Sequence, residues 1–267
     1  MALAVLLLGT AALFLVGTTD EMVTVNYQVE SDSIHQPIRL ALVTDLHSCD
    51  YGEKQQDLLE AIAAQTPDGV LLGGDIIDDD IPREKGELFI TEVSLSYPTY
   101  YVSGNHEYRT DDIDGIKDFI RSAGVTVLEG DCVPLVLQGQ TIQVCGVDDP
   151  EGVGYETMDR QLVQAAAQAD PTLFTILLSH RPERIDQYRS YGVFDLILSG
   201  HAHGGQWRIP GLLNGLLAPN QGFFPNYAGG RYDFPDCTFL VSRGLARETT
   251  SIPRLFNNPE LVIIDIT

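Results

Sequence analysis

The chain has 267 residues, enough to bury a substantial core, and its 16 Lys and Arg against 38 Asp and Glu leave a net charge of −22. So acidic a surface repels polyanions, which argues against a nucleic-acid partner and against a basic membrane-binding face; an anionic substrate would need locally bound cations. Cys49, Cys132, Cys145 and Cys237 show no C-x-x-C spacing, so neither a thiolate zinc site nor a disulfide framework is indicated, and small buried residues are the ordinary reading.

Residues 1–19, "MALAVLLLGTAALFLVGTT", carry no charged side chain. As a helix they would be roughly 28 Å long, close to the hydrocarbon thickness of a bilayer. A cleaved signal peptide is the rival reading, but no Lys or Arg precedes Arg39 and no clean A-x-A site follows, so the expectation is an uncleaved N-terminal membrane segment (1–19) ahead of one domain (20–267). A start that has lost basic residues would look the same. Asp20 and Glu21 follow the segment, and although acidic residues contribute weakly to topology, the expected placement of the domain is outside the cytoplasm.

Beyond that segment, "MVTVNYQVE" (22–30) alternates as a strand does, and "IRLALVTD" (38–45) is an apolar run ending on an acid. A helical pattern over 54–65, the run "GVLLGGD" (69–75), a second helical stretch near 85–94 and "TYYVSGNHE" (99–107) give a β-α-β-α-β rhythm. Such alternation predicts a sheet with crossover helices and ligands gathered at the carboxyl ends of the strands. After a helix near 112–123, short strands recur at 125–129, 133–139 and 141–147; a helix at 156–168 precedes "TLFTILLSH" (172–180) and "FDLILSGH" (194–201), and 237–244 and 260–267 close the pattern. The expected class is α/β, with two sheets packed together and helices outside.

Five of these apolar runs deliver a metal-competent group at the same end. Asp45 and His47 follow one, Asp75 the next, Asn105, His106 and Glu107 the third, His180 the fourth, and His201 and His203 the fifth. Of the six histidines only His35 lies elsewhere. Each block alone could be a capped turn; five such turns would each have to acquire a ligand type independently. Imidazole, carboxylate and amide without thiolate suit Mn, Fe, Zn or Mg, and seven such ligands exceed one tetrahedral shell, which points to two divalent ions. Two such ions clamp the attacking and leaving oxygens of a phosphoryl displacement. Gly73, Gly74, Gly104, Gly200, Gly204 and Gly205 would let the backbone approach such a centre closely.

In this order D-x-H, G-G-D, G-N-H-E, S-H and G-H-x-H resemble the calcineurin-like metallophosphoesterase family. "LSHRPE", "GHAHGGQ", "APNQGFFP" and "IPRLFNNPELVIIDI" resemble a bacterial, membrane-associated branch that includes phosphodiesterases acting on nucleotide-linked lipid precursors. The resemblance implies a four-layer α/β/β/α sandwich of two mixed sheets flanked by helices, and a phosphodiester or pyrophosphate substrate, with a nucleotide-linked lipid among the candidates. It implies that Asp45, His47, Asp75 and His203 hold one metal, and Asp75, Asn105, His180 and His201 the second. Asp75 would bridge, together with a water made acidic enough to attack; His106 would protonate the leaving oxygen and Glu107 would orient it. "LHSCDYG" departs from the pattern at Cys49.

A catalytically silent, membrane-tethered binding module of the same fold is the alternative, disfavoured because every ligand position is filled. A single-metal deaminase or protease lacks H-E-x-x-H and paired cysteines. Residues 204–236, with the only Trp and seven glycines, read either as a packed surface loop or as a substrate lid, and Arg208 and Arg231 within them are candidates to meet phosphate.

Overall fold

A computed structural model describes residues 17–18, 20–247 and 252–267. Among these residues two six-stranded sheets form the centre. The first runs in the order β1 (Val23–Val29), β14 (Glu260–Ile266), β2 (Ile38–Val43), β3 (Gly69–Gly73), β4 (Thr99–Val102) and β5 (Thr126–Val127). The second runs β12 (Gly230–Asp233), β13 (Thr238–Val241), β9 (Leu196–Ser199), β8 (Thr175–Leu178), β7 (Gln140–Gly146) and β6 (Cys132–Leu137). Both are mixed: β2, β3, β4 and β5 are mutually parallel while β14 runs against β2, and β7, β8, β9 and β13 are parallel while β6 and β12 are antiparallel at the edges.

The period-2 alternation of the strands builds the layers. Leu40 and Leu42 of β2 turn inward with Leu71 and Val102 to meet Val144, Ile176, Leu178, Leu198 and Leu240 of the other sheet. Ala41 and Val43, together with Val70 and Leu72, turn outward and are covered by Leu58 and Ile62 of α1 (Gln56–Gln65) and by Phe89 and Ile90 of α2 (Glu84–Ser94). The far face of the second sheet, including Leu177 and Ile197, is covered by Met158 and Leu162 of α6 (Tyr155–Gln168). Strands that are apolar on both faces are those of a sheet covered on both sides, and the result is the expected α/β/β/α sandwich. The short α3 (Asn105–Arg109) begins inside what the sequence reads as one extended run to 107; α4 (Ile113–Ser122) and the one-turn α5 (Pro150–Val153) precede α6.

Two sequence expectations are revised. No helix among the described residues is long and apolar enough to cross a membrane, so the expected localisation, a membrane anchor with the domain outside the cytoplasm, is not upheld. Most of the 1–19 segment lies outside the described residues; its residue Gly17 is buried against Leu255 and Phe256, and its carbonyl accepts from Phe256 N at 2.6 Å. Secondly, Cys132 and Cys145 form a disulfide: they stand opposite each other where antiparallel β6 and β7 pair, a juxtaposition that a search for C-x-x-C spacing cannot see. Residues 204–236, read as a packed surface loop or a substrate lid, contain the hairpin of β10 (Leu217–Ala218) and β11 (Gly222–Phe223) and the edge strand β12.

Candidate metal centre

The five chemistry-bearing blocks lie just past the carboxyl ends of β2, β3, β4, β8 and β9, and the sandwich brings these ends together. Asp45, His47 and His203 form one group of converging ligand atoms, and Asp75, His180 and His201 form a second, with the atoms of each group within 4.8 Å of one another. Asp75 lies between the two: its Oδ2 is 2.9 Å from His180 Nε2 and 3.8 Å from His47 Nε2. His203 Nε2 is 3.7 Å from Asp45 Oδ1. Asn105 adjoins the second group, its amide 2.9 Å from His201 Nδ1. All seven candidate ligands are buried.

The backbone at these positions is unusual. Asp45, His47, Asp75, His201 and His203 all have φ between 46° and 64°. Left-handed backbone at a residue with a Cβ costs on the order of 1 kcal/mol or more and persists where surrounding structure imposes it, commonly at functional sites. Close packing does the imposing here: a Cβ on Gly104 would lie 2.2 Å from Asp75 Oδ1, and one on Gly200 2.5 Å from Asp45 Oδ2.

The donor set fits a pair of cations. His47 Nε2 and His203 Nδ1 are buried with no hydrogen-bond partner among the described residues, which is costly unless a ligand satisfies them. His47 Nδ1 meets Asp78 Oδ2 at 2.6 Å, so that Nε2 keeps its lone pair facing Asp75. His180 Nδ1 meets the Gly73 carbonyl at 2.8 Å, which leaves Nε2 facing Asp75. Protein contacts alone turn the Asn105 NH2 towards His201 Nδ1 and its oxygen towards Arg109 Nη1 and Nη2, each 3.2 Å away; a cation would favour the opposite orientation.

Electrostatics follow from burial and from this crowding. Burial alone would raise Asp75, but His180 outweighs it by charge and hydrogen bond and holds the carboxyl well below its ordinary value. Asp45 goes the other way, burial raising it against the pull of His180. Burial would lower His180, yet the Asp75 and Asp45 charges lift it to about 10. His201 and His203 are pushed well below the usual imidazole range by burial and by neighbouring cationic groups.

His106 borders this cluster, its ring centroid 4.3 Å from that of His47, and it is only partly buried. Burial would lower it; a hydrogen bond to Asp78 and the charges of Asp75, Asp78 and Asp79 raise it to about 9. The acids at its ring are Asp79, directly hydrogen-bonded to Nδ1, and Asp78 at 3.3 Å. Glu107 is placed elsewhere: its oxygens accept from the N–H groups of Asp75, Ile76, Ile77 and Gly104 at 2.7–3.1 Å, tying the turn after β3 to the start of α3. The orientation of His106 therefore comes from "DD" at 78–79, three and four residues past Asp75.

Other residues complete the setting. Arg109, on the turn of α3 next to His106, places Nη1 3.2 Å from His106 Nε2 and pairs with Glu151. Arg181 is fully buried behind His201. The signals were adjacency alone: Arg109 is three residues past His106, and Arg181 directly follows His180. Asn257 Nδ2 binds the carbonyls of His203 and Gln206 and clamps the G-H-x-H loop. Of the two loop arginines singled out for phosphate, Arg231 pairs with Asp233 and the Gln28 carbonyl, while Arg208 binds Asn214 and the carbonyl of Gly204, next to His203, at 3.4 Å. Cys49 is buried, its Sγ accepting from Arg247 N at 3.3 Å.

The sequence model of the calcineurin-like phosphoesterases matches residues 38–205. A metallophosphoesterase of Helicobacter pylori strain J99 is 32% identical over 178 residues, 66% of this chain and 47% of the relative, so the aligned part spans about half the length of that relative. The protein YpbG of Bacillus subtilis is 28% identical over 262 residues, 96% of this chain and 92% of its own length. Among solved structures, the 5'-nucleotidase precursor of Thermus thermophilus superposes with a TM-score of 0.52 at 14% identity, over 86% of this chain and 54% of that one, a likeness of fold.

Proposed function

From the premise that this chain belongs to the calcineurin-like phosphoesterase family and is a metal-dependent phosphohydrolase, we propose that it hydrolyses a phosphodiester or pyrophosphate bond at a dinuclear centre. Asp45, His47, Asp75 and His203 would hold one divalent ion, and Asp75, Asn105, His180 and His201 the other. The observation that carries this reading is the position of Asp75, buried with one oxygen 3.8 Å from His47 of the first group and 2.9 Å from His180 of the second. When bound, two divalent cations neutralise the charge of a phosphate and render a water nucleophilic at neutral pH.

The protein's own groups do the rest. His106, at the open edge of the cluster, donates its proton to the departing oxygen, and Asp78 and Asp79 hold the ring towards it and stabilise its charged form before transfer. Arg109 beside it offsets charge that builds on the leaving side. Glu107 acts through the backbone, holding the Asp75 turn against Gly104.

A lipid-linked nucleotide is the substrate reading supported by the hairpin that touches His201 through Asn220: Phe223 and Phe224 beside that turn are 70% and 66% exposed, an apolar surface near a polar centre. The test is hydrolysis by the metal-loaded protein of an aryl phosphomonoester, an aryl phosphodiester, a cyclic nucleotide, a nucleoside diphosphate ester and its acylated, lipid-linked counterpart. Diester or pyrophosphate cleavage abolished by a chelator and restored by Mn2+ is expected. Activity confined to monoesters, or indifferent to the chelator, overturns the reading; equal rates on the plain and lipid-linked esters remove the lipid.

A further inference from the structure

The hairpin between β10 and β11 turns on Pro219, Asn220 and Gln221, and Asn220 sits there in left-handed backbone at φ 57°, which Asn and Gly tolerate better than most residues. Its Oδ1 is 2.8 Å from His201 Nε2 and 2.7 Å from Arg181 Nη1. Arg181 is held from behind by Asp149, which accepts from both Nε and Nη2, and by Glu151 at 3.0 Å. We infer that Asn220 is a positioning residue that selects the tautomer of His201, and so connects the 204–236 segment to the metal centre. This rests on the dinuclear reading above.

A guanidinium has only donors, so the Asn220 atom facing Arg181 is the amide oxygen. An amide oxygen only accepts, so its contact calls for a hydrogen on the His201 nitrogen facing it, the tautomer that also lets Nδ1 accept from the Asn105 amide. With Nε2 protonated, Nδ1 keeps its lone pair, and Nδ1 is the nitrogen that faces Asn105, the candidate companion ligand. Arg181 on its own would do the opposite. Its Nη1 is 2.9 Å from His201 Nε2, and with the Asn220 oxygen removed it would donate there, moving the hydrogen to Nδ1 and directing an N–H into the ion's position. Outer partners of this kind orient metal-binding histidines, and losing one typically weakens metal affinity about 10–100-fold.

Two substitutions separate the acceptor from the loop. Asn220→Gly keeps the left-handed turn and removes the oxygen; Asn220→Asp keeps an acceptor on a side chain of the same length. Full-length metal-free protein is titrated with Mn2+ by calorimetry, and the His201 tautomer is read from long-range 15N–1H spectra, the resonance assigned by its loss in His201→Gln. Asn220→Gly should move His201 to the Nδ1–H form and weaken one of two Mn2+ sites by about 10–100-fold, while Asn220→Asp keeps the wild-type tautomer and binding within about three-fold. Wild-type tautomer or two undiminished sites in Asn220→Gly overturns the inference, as does an Asn220→Asp protein as weak as Asn220→Gly, which would mean that the turn itself was damaged. Wild-type protein that binds fewer than two Mn2+ overturns the dinuclear reading instead, and the spectra of the metal-free variants then still decide whether Asn220 sets the tautomer.

Discussion

Asp75 and His106 touch, the His106 N–H donating to Asp75 Oδ1 at 2.8 Å, yet the two should fail differently when changed. Asp75 is buried between both ligand groups, so Asp75→Asn, which removes the charge, should lower the affinity of both cations and lose activity through metal loss, with partial recovery in excess Mn2+. His106 lies at the edge with its ring on Asp79, so His106→Ala should keep about two metals per chain while turnover falls by about 10²–10⁴. The loss should shrink for a nitrophenolate leaving group, which needs no proton. Metal content by atomic absorption beside kcat on two leaving groups checks this; a His106→Ala protein stripped of metal, or one as active as wild type on an alkoxide leaving group, overturns the roles. The seven candidate ligands were legible in the sequence because each follows closely on an apolar run. Asp79 and Asn220 were not, because what they touch lies 27 and 19 residues away and only folding makes the contact.

At the level of elements, α4 and α6 are tied to the strand ends by one buried ion pair. Lys117 of α4 donates to Asp148 Oδ1 at 2.7 Å, and Asp148 also accepts from Ser103 Oγ after β4 and from Gln161 Nε2 of α6. Removing one partner leaves the other charge buried, at a cost of roughly 3–5 kcal/mol, so Lys117→Met should shift urea unfolding strongly. Adding Asp148→Asn should recover part of the loss, and a double variant no better than the single would show that packing, not charge, was lost. Most element boundaries followed from periodicity to within a few residues. No periodic pattern announced α5, β10, β11 or β12, and at α3 "VSGNHE" reads as a continued strand but turns helical at Asn105. The start of α3 is set by Glu107 at its third position, whose carboxylate takes the Gly104 N–H three residues back in a capping box and also the Asp75 N–H across 32 residues, and only the second of these lies beyond any local pattern.

For the whole molecule, cation binding is coupled to a proton and to stability. Burial opposes the charged form of His180, yet the Asp75 and Asp45 charges lift it to about 10. A histidine raised in the folded state stabilises it fully below the unfolded value near 6.5 and loses that contribution as pH rises through about 10, so near neutral pH the imidazole is protonated until a cation arrives. Cation loading must displace that proton: calorimetry in buffers of differing ionisation enthalpy should show release of about one proton per chain. Loading should also raise the unfolding temperature, since a ligand at about a hundred times its Kd adds about 2.7 kcal/mol to the folded state. Chelator that leaves the unfolding temperature unchanged, or binding without proton release, counts against the centre. By itself the sequence determined the α/β class, the two-sheet sandwich and the candidate ligands, because alternation and residue type are local and the ligands sit where strands stop. Only the tertiary structure decided that the five strand ends meet, that Cys132 faces Cys145, that Gly17 rests on Leu255 and Phe256, and which nitrogen of each histidine is left open, because these are relations between residues far apart in the chain.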